Sequence, residues 1–327
     1  MPLPAHETKH ISSLSYPSRD VVFQLAQRND GASNGTALWL GAQILSAFLA
    51  DVLSSSTTAN RHSRSTESNL PVRSCRVPPD GTAKGPNALR VPDQPTRNPT
   101  AIELGSGIGL SALTLASMGW DVLATDIQPV VDAVLRPNVR NNAQVLHPGS
   151  IQVRELDWTI PPEAWRWDDQ LIIASHSTAN AISSENPQGN KMQNTFDDGG
   201  DLGNANLKQP TPQFDLIITA DTLYSAALIT PLLRTLHNLC AVSVREVETG
   251  HQSKPPLIYL ALENRDPELV SSFFDVARKD WNFTTTQLPK RRIQKALERS
   301  KLKWERKDWE GVEVWKLIYS KSHQTPL

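Results

Sequence analysis

The stretch Ala101-Ile-Glu-Leu-Gly-Ser-Gly-Ile-Gly-Leu110 constrains the chain more than any other. Ala101, Ile102 and Leu104 suit a strand buried on both faces. Gly105, Gly107 and Gly109 permit positive φ and close approach by a ligand. Leu110 to Met118 holds good helix formers and few breakers, and Gly119 stops it. A second apolar run, Trp120 to Thr125, ends in Asp126. The expectation is a βαβ unit with an acidic residue at the tip of its second strand.

A carboxylate in that position accepts hydrogen bonds from ribose hydroxyls, so the unit predicts nucleoside binding. The glycine turn, at a helix N-terminus, faces either a pyrophosphate or the amino-acid end of a nucleoside. A dinucleotide fingerprint is Gly-x-Gly-x-x-Gly, and its third glycine would fall on Leu110. The observed pattern is Glu103-x-Gly105-x-Gly107-x-Gly109, which resembles motif I of the S-adenosylmethionine (SAM) methyltransferases.

At 327 residues, length alone allows two domains, but insertions account for the excess over one. The net charge of −1 gives no global reason to expect nucleic acid or a membrane as partner. A hydrophobic content of 39% fits a core diluted by polar loops. Two cysteines, Cys75 and Cys240, with no CxxC or Cys/His cluster, favour a reducing compartment over a structural zinc site. Met1 to Asp20 lacks an apolar signal core, and Leu38 to Leu53 is too short to span a bilayer, so cytosol, nucleus or both are expected. No segment signals oligomerisation, and a monomer is expected.

Residues 1–34 read as a loose segment in which Arg19 to Gln27 makes at most a short strand. One domain, 35–327, follows. From Gly35 on, Leu38, Ala42, Leu45, Leu49 and Val52 form an apolar helix face, with Thr36 as its N-cap. Trp39 is either a core anchor there or a cofactor contact. Ser54 to Pro99 has no period and few large apolar residues, which predicts a disordered insertion. Ser175 to Gln213 reads the same way, with Leu171 to Ala174 packing locally before it. Between them, Gln128 to Ala143 is helical with Pro137 kinking or restarting it, and Ser150 to Leu156 alternates as a strand. Order returns with strands at Phe214 to Ala220, Pro256 to Leu262 and Gly311 to Tyr319, helices at Ala227 to Cys240 and Pro267 to Trp281, and a β-like run from Phe283 to Leu288. Alternating elements of this kind predict an α/β fold: a mainly parallel, seven-stranded, Rossmann-like sheet with helices on both faces.

In such sheets a ligand sits beyond the carboxyl ends of the strands. Four ends collect polar residues: Gly105 to Gly109 with Ser106, Asp126, Asp157-Trp158, and Ala220 to Tyr224. Asp157 and Trp158 suit an adenine, the acid near the exocyclic amine and the indole over the ring; otherwise Asp157 caps a turn and Trp158 fills core. Asp221-Thr-Leu-Tyr224 stands where an acceptor would meet a methyl donor. A carboxylate orients an incoming ammonium, and a tyrosine hydroxyl or ring aligns it. Asp221 as a helix N-cap and Tyr224 as a packed aromatic at a helix start is the alternative reading, and both readings can hold at once.

With Leu38-Trp39, Glu103 to Gly109, Asp126, Leu156-Asp-Trp158, Ala220 to Tyr224 and Glu263-Asn-Arg265 in place, the chain resembles methyltransferase family 16, a seven-strand, SAM-dependent group with many protein-lysine methyltransferases. The resemblance implies SAM contacts from Trp39, Gly105, Gly107, Asp126, Trp158 and Ala220, with Glu103, Ser106, Gly109 and Asp157 around them. It places Asp221 and Tyr224 toward the acceptor, and implies a protein substrate such as a translation factor. The insertions have no counterpart in it. The basic stretch Lys290 to Lys307 is a solvated amphipathic face or a docking surface for an acidic protein or a ribonucleoprotein.

Overall fold

The computed structural model describes residues 2–28, 34–65, 97–176, 212–244 and 254–320, with side chains of the second stretch described to residue 54. Its centre is an eight-stranded sheet. The glycine motif and its surroundings behave as expected. Strand β3 (Thr100–Leu104) turns through three left-handed glycines into a helix at Leu110–Ser117, and β4 (Asp121–Asp126) follows parallel to β3.

Two strands precede these. β1 (Ser13–Ser18) and β2 (Val21–Ala26) pair antiparallel, after a one-turn helix, α1 (Ala5–Thr8). The expectation of a loose segment over 1–34 therefore fails for residues 2–28. Leu14, Tyr16, Phe23 and Leu25 alternate inward and join the main core. Gln27 ties the segment together: its side-chain N–H group donates to Thr8 O and Ile11 O, both at 2.6 Å, and its oxygen accepts from Leu38 N at 2.9 Å.

Helix α2 is Leu40–Ser65. It starts later than expected and runs into the first predicted insertion as far as residue 65; residues 66–96, where the rest of that insertion falls, lie outside the described residues. Thr36 is not its N-cap. Thr36 sits in a 3-10 turn, Asn34–Thr36, and its hydroxyl donates to Arg28 O. The cap comes from far away: Gly41 N donates to the Asp221 carboxylate at 2.7 Å.

The helix at Leu110–Ser117 is α3. Residues 128–141 form α4, whose middle, Val131–Leu135, is a π turn leading into Arg136–Asn141. Pro137 brings no N–H, and the wider turn passes over the missing bond. β5 (Ser150–Leu156) pairs with β4, and the local packing expected of Leu171 to Ala174 is a three-residue edge strand, β6 (Ile172–Ala174). This short strand supplements the seven expected. Most of the second predicted insertion, residues 177–211, lies outside the described residues.

β7 (Leu216–Ala220) leads through a Ser225-capped 3-10 turn into α5 (Ile229–Ser243). β8 (Leu257–Glu263) is followed by α6 (Pro267–Asp280), capped by Asp266 on Leu269 N at 3.0 Å. β9 (Phe283–Gln287), α7 (Lys290–Arg299) and β10 (Val312–Tyr319) are the last elements among the described residues. The strand order is β6-β5-β4-β3-β7-β8-β10-β9, with β10 antiparallel to both neighbours and the rest parallel. Side chains alternate across the pleat. Ala101, Ala124, Ile218 and Tyr259 face α2, α3, α4 and α7, whereas Ile102, Leu123, Ile217 and Leu260 face α5 and α6. The direction of connection reverses between β3 and β7, and Brändén's crevice opens there.

Candidate active site

A cavity of about 310 Å³ opens at that crevice, within the size range of small-ligand sites. Of the residues singled out in the sequence, it brings together Trp39, Gly105, Asp126, Trp158, Ala220, Asp221 and Tyr224. They come from the turn before α2 and from the carboxyl ends of β3, β4, β5 and β7.

The glycine turn is shaped for a close neighbour. Gly105 has φ +67°, and a Cβ there would lie 2.6 Å from Thr222 Cγ2 and 3.2 Å from the Trp158 ring. The floor of the cavity is thus bare backbone beside an indole. Trp158 Nε1 is buried and has no hydrogen-bond partner among the described residues, and the ring meets the cavity with its face and edge.

Asp126 closes the turn. Its Oδ2 accepts from Gly107 N and its Oδ1 from Ile127 N, each at 2.8 Å. Burial pushes the carboxyl up to about 6, against the two N–H bonds that lower it. Each ionised oxygen retains acceptor capacity for a hydroxyl. Beside it Ile127 stays 40% exposed on the cavity wall, an apolar residue held in water next to a strand-end acid. The donor set fits an adenine nucleoside: a carboxylate for ribose and apolar faces from Ile127 and Trp158 for a base.

Five of the expected residues do not line the cavity: Glu103, Ser106, Gly107, Gly109 and Asp157. Glu103 is buried beneath the turn and accepts from Ala112 N at 3.1 Å, pinning α3 to β3. Burial raises its carboxyl to about 8, with Asp126 adding repulsion and hydrogen bonds from Ser111, Ser106 and Ala112 opposing. Ser106 accepts from Thr125 N at 3.1 Å, and Gly109 adopts the left-handed conformation that starts α3. These residues shape the turn from behind. Asp157 caps a turn, accepting from Thr159 N at 2.9 Å and Thr159 Oγ1 at 2.6 Å, with His176 at 3.4 Å from its other oxygen.

The opposite end of the cavity is aromatic and acidic. Asp221 follows β7 with φ +54°, a conformation uncommon for a residue with a side chain. Both carboxylate oxygens receive backbone N–H groups, Oδ2 from Gly41 at 2.7 Å and Oδ1 from Glu263 at 2.9 Å. Asp221 therefore joins α2 to the end of β8 while lining the cavity. Burial and the Glu263 charge push it up to about 6; the N–H bonds and Arg265 oppose this. Tyr224 stands 60% exposed at the cavity wall, and burial of its hydroxyl together with Asp126 and Asp157 raises its pKa. Trp39 Nε1 donates to Asn34 O at 2.6 Å, which fixes the ring at the cavity.

Several lining residues carry no motif of their own, among them Leu262, Asp266, Leu269 and Val270. Asp266 lies just before a helix with no spacing that marks a ligand contact, and Leu262, Leu269 and Val270 have the apolar character of core residues. Gly41 was equally silent. A glycine in the first turn of a long helix, with no turn to explain it, is the available signal; the structure shows that a Cβ there would collide with the Asp221 carboxylate.

A family model described as lysine methyltransferase matches residues 19–185 of the chain. The chain is similar to methyltransferase-like protein 22 of Mus musculus, 32% identical over 89 residues, which is 24% of this chain and 23% of that protein. It is similar to the same-named protein of Homo sapiens at 30% over 92 residues, 25% of this chain and 23% of that one. The matched stretch thus spans less than a quarter of the length of either relative. Among solved structures, a protein described as a SAM-dependent methyltransferase from Streptococcus mutans overlaps with a TM-score of 0.41 at 9% identity, covering 94% of this chain and 55% of that one. That overlap is too loose to carry weight beside the family match and the strand order.

Proposed function

The chain belongs to the lysine methyltransferase family, and from that premise we propose that it methylates a lysine side chain of a protein substrate. It is a SAM-dependent methyltransferase with a Rossmann-like fold. The single observation that supports the lysine reading is one continuous cavity with two unlike ends. A nucleoside end, Gly105, Asp126, Ile127 and Trp158, meets an acidic and aromatic end, Trp39, Asp221, Tyr224, Glu263 and Asp266.

SAM supplies an electrophilic methyl group on a sulfonium centre. The remaining work belongs to the protein and is mostly positioning. Asp126 orients the ribose, while Trp158 and Ile127 cover the base. Asp221, Tyr224 and Trp39 align an amine whose lone pair forms the new N–C bond. A lysine ammonium would first lose a proton to water, and SAM, when bound, would supply its methyl group to the lone pair so freed. The acidic end favours an ammonium on arrival. Tyr224, exposed at the wall, is reachable by a side chain presented on a protein surface.

The test is transfer of label from radiolabelled SAM to lysate proteins, with wild type and Asp126→Ala in parallel. A discrete labelled band that vanishes with the variant is the expected result. Label confined to the small-molecule fraction would replace the protein acceptor with a heterocyclic or other small amine. SAM binding with no transfer would leave a binding module without catalysis.

A further inference from the structure

We propose that the Trp39 ring and the Glu263 carboxylate form the seat for the acceptor's ammonium group, and that Arg265 fills this seat until an acceptor displaces it. The inference deepens the lysine reading and rests on it.

The guanidinium carbon of Arg265 lies 5.0 Å from the centroid of the Trp39 ring, and its Nη2 pairs with Glu263 Oε2. All three residues line the cavity. Asp221 feels both charges: Glu263 pushes its carboxyl up and Arg265 pulls it down. An aromatic face, a paired carboxylate and a second carboxylate nearby are the parts of a cation site, and here an internal cation occupies them. Trp39 draws a further cation, Lys9, whose Nζ lies 4.7 Å from the ring centroid.

Charge supports the assignment. The residues lining the cavity include four carboxylates, Asp126, Asp221, Glu263 and Asp266, and one cationic side chain, Arg265. Withdrawal of Arg265 leaves the acceptor end strongly anionic, which suits an alkylammonium. Withdrawal is also easy. The side chains of Arg265 and Glu263 are 56% and 31% exposed, and exposed pairs hold weakly. Arg265 is then a specificity-determining residue: an amine enters only by outcompeting a guanidinium that is already seated. The apparent affinity for an amine is reduced by the fraction of protein with the seat filled.

The probe is Nα-acetyl-lysine methylamide, titrated by saturation-transfer NMR against the full chain loaded with S-adenosylhomocysteine. Arg265→Gln vacates the seat and is expected to bind the probe ~5-fold tighter or more than wild type. The uncharged norleucine analogue should show no gain, and Arg265→Gln combined with Glu263→Gln should abolish it. Affinity for S-adenosylhomocysteine should stay within about twofold throughout, since the seat lies at the acceptor end. The proposal is overturned if Arg265→Gln binds the probe no tighter, if norleucine gains equally, or if cofactor affinity falls tenfold, which would assign Arg265 to the cofactor. Failure here with labelled lysate bands intact sinks the seat alone. Tighter probe binding with no labelled protein keeps the seat and sinks the protein acceptor.

Discussion

At the scale of single residues, Asp221 matters for what it holds as well as what it faces. Two backbone donors, Gly41 N and Glu263 N, end on its carboxylate, so it joins the start of α2 to the end of β8 at the acidic end of the cavity. Gly41 leaves room for that carboxylate, and any Cβ there would strike it. Gly41→Ala is therefore expected to push Asp221 aside without touching the nucleoside end. Methyl transfer should fall at least tenfold, with SAM affinity within about twofold by calorimetry. Unpairing two donors should also cost ~1–3 kcal/mol of stability in denaturant melts. Unchanged turnover in that variant would show that the acceptor geometry does not depend on this link. Asp221→Asn keeps one acceptor oxygen and turns an amide N–H toward the other donor, so an intermediate loss of stability is expected.

At the scale of elements, the N-terminal hairpin is part of the site's support. Asn138 on α4 and Asn142 just past its end pair with the backbone of β2: Asn138 with both N and O of Ala26, and Asn142 with both N and O of Gln24. Their amides finish an edge that would otherwise be bare. Asn138 also donates to Ile108 O, so the same side chain reaches the glycine turn. Removal of residues 1–28 deletes Phe23 and Leu25 from the core, each contributing about 2 kcal/mol by burial, and releases the Gln27 bond to Leu38 N beside Trp39. The shortened chain is expected to melt ~10 °C lower or to be insoluble; a melting point within about 2 °C of the full chain would make the hairpin an ornament. The sequence hides this element for physical reasons. Ser13–Ser18 offers only Leu14 and Tyr16 as an alternating pair and carries Pro17, which argues against a strand. Asn138 lies 112 residues from Ala26, and such a polar side chain meeting a distant backbone leaves no local period. The Gly105 to Gly109 turn was legible because strand, turn and helix are adjacent in the chain. Trp39, Asp126, Trp158, Ala220 and Tyr224 were legible as strand-end or helix-start residues. Glu103 and Asp157 do not line the cavity, and the sequence could not show this, because spacing tells which strand end a side chain leaves from and not which way its partners turn it.

At the scale of the whole molecule, three carboxyls under the cavity make stability depend on pH. Burial raises Asp126 and Asp221 to about 6 and Glu103 to about 8. Each folded pKa exceeds that of the unfolded chain, so the native state binds protons more tightly than the unfolded one. The stabilising contribution is complete below the unfolded pKa, near 4 for a carboxyl, and is lost as pH rises through the folded value. The protein without cofactor should therefore lose stability from pH 4 to 6 through all three groups, and from 6 to 8 through Glu103 alone. Glu103→Gln isolates the last term. Gln keeps an oxygen for Ala112 N and does not titrate, so its melting temperature should be flat between pH 6 and 8, where wild type declines. Cofactor reverses part of the trend. On the ribose-binding role proposed for Asp126, which needs its ionised form, the extra stability given by saturating S-adenosylhomocysteine should grow as pH rises through about 6. Asp126→Asn should remove that growth. Parallel melting curves for wild type and Glu103→Gln from pH 6 to 8 would mean that Glu103 is already ionised in the fold, with a cation or donor from outside the described residues compensating its burial.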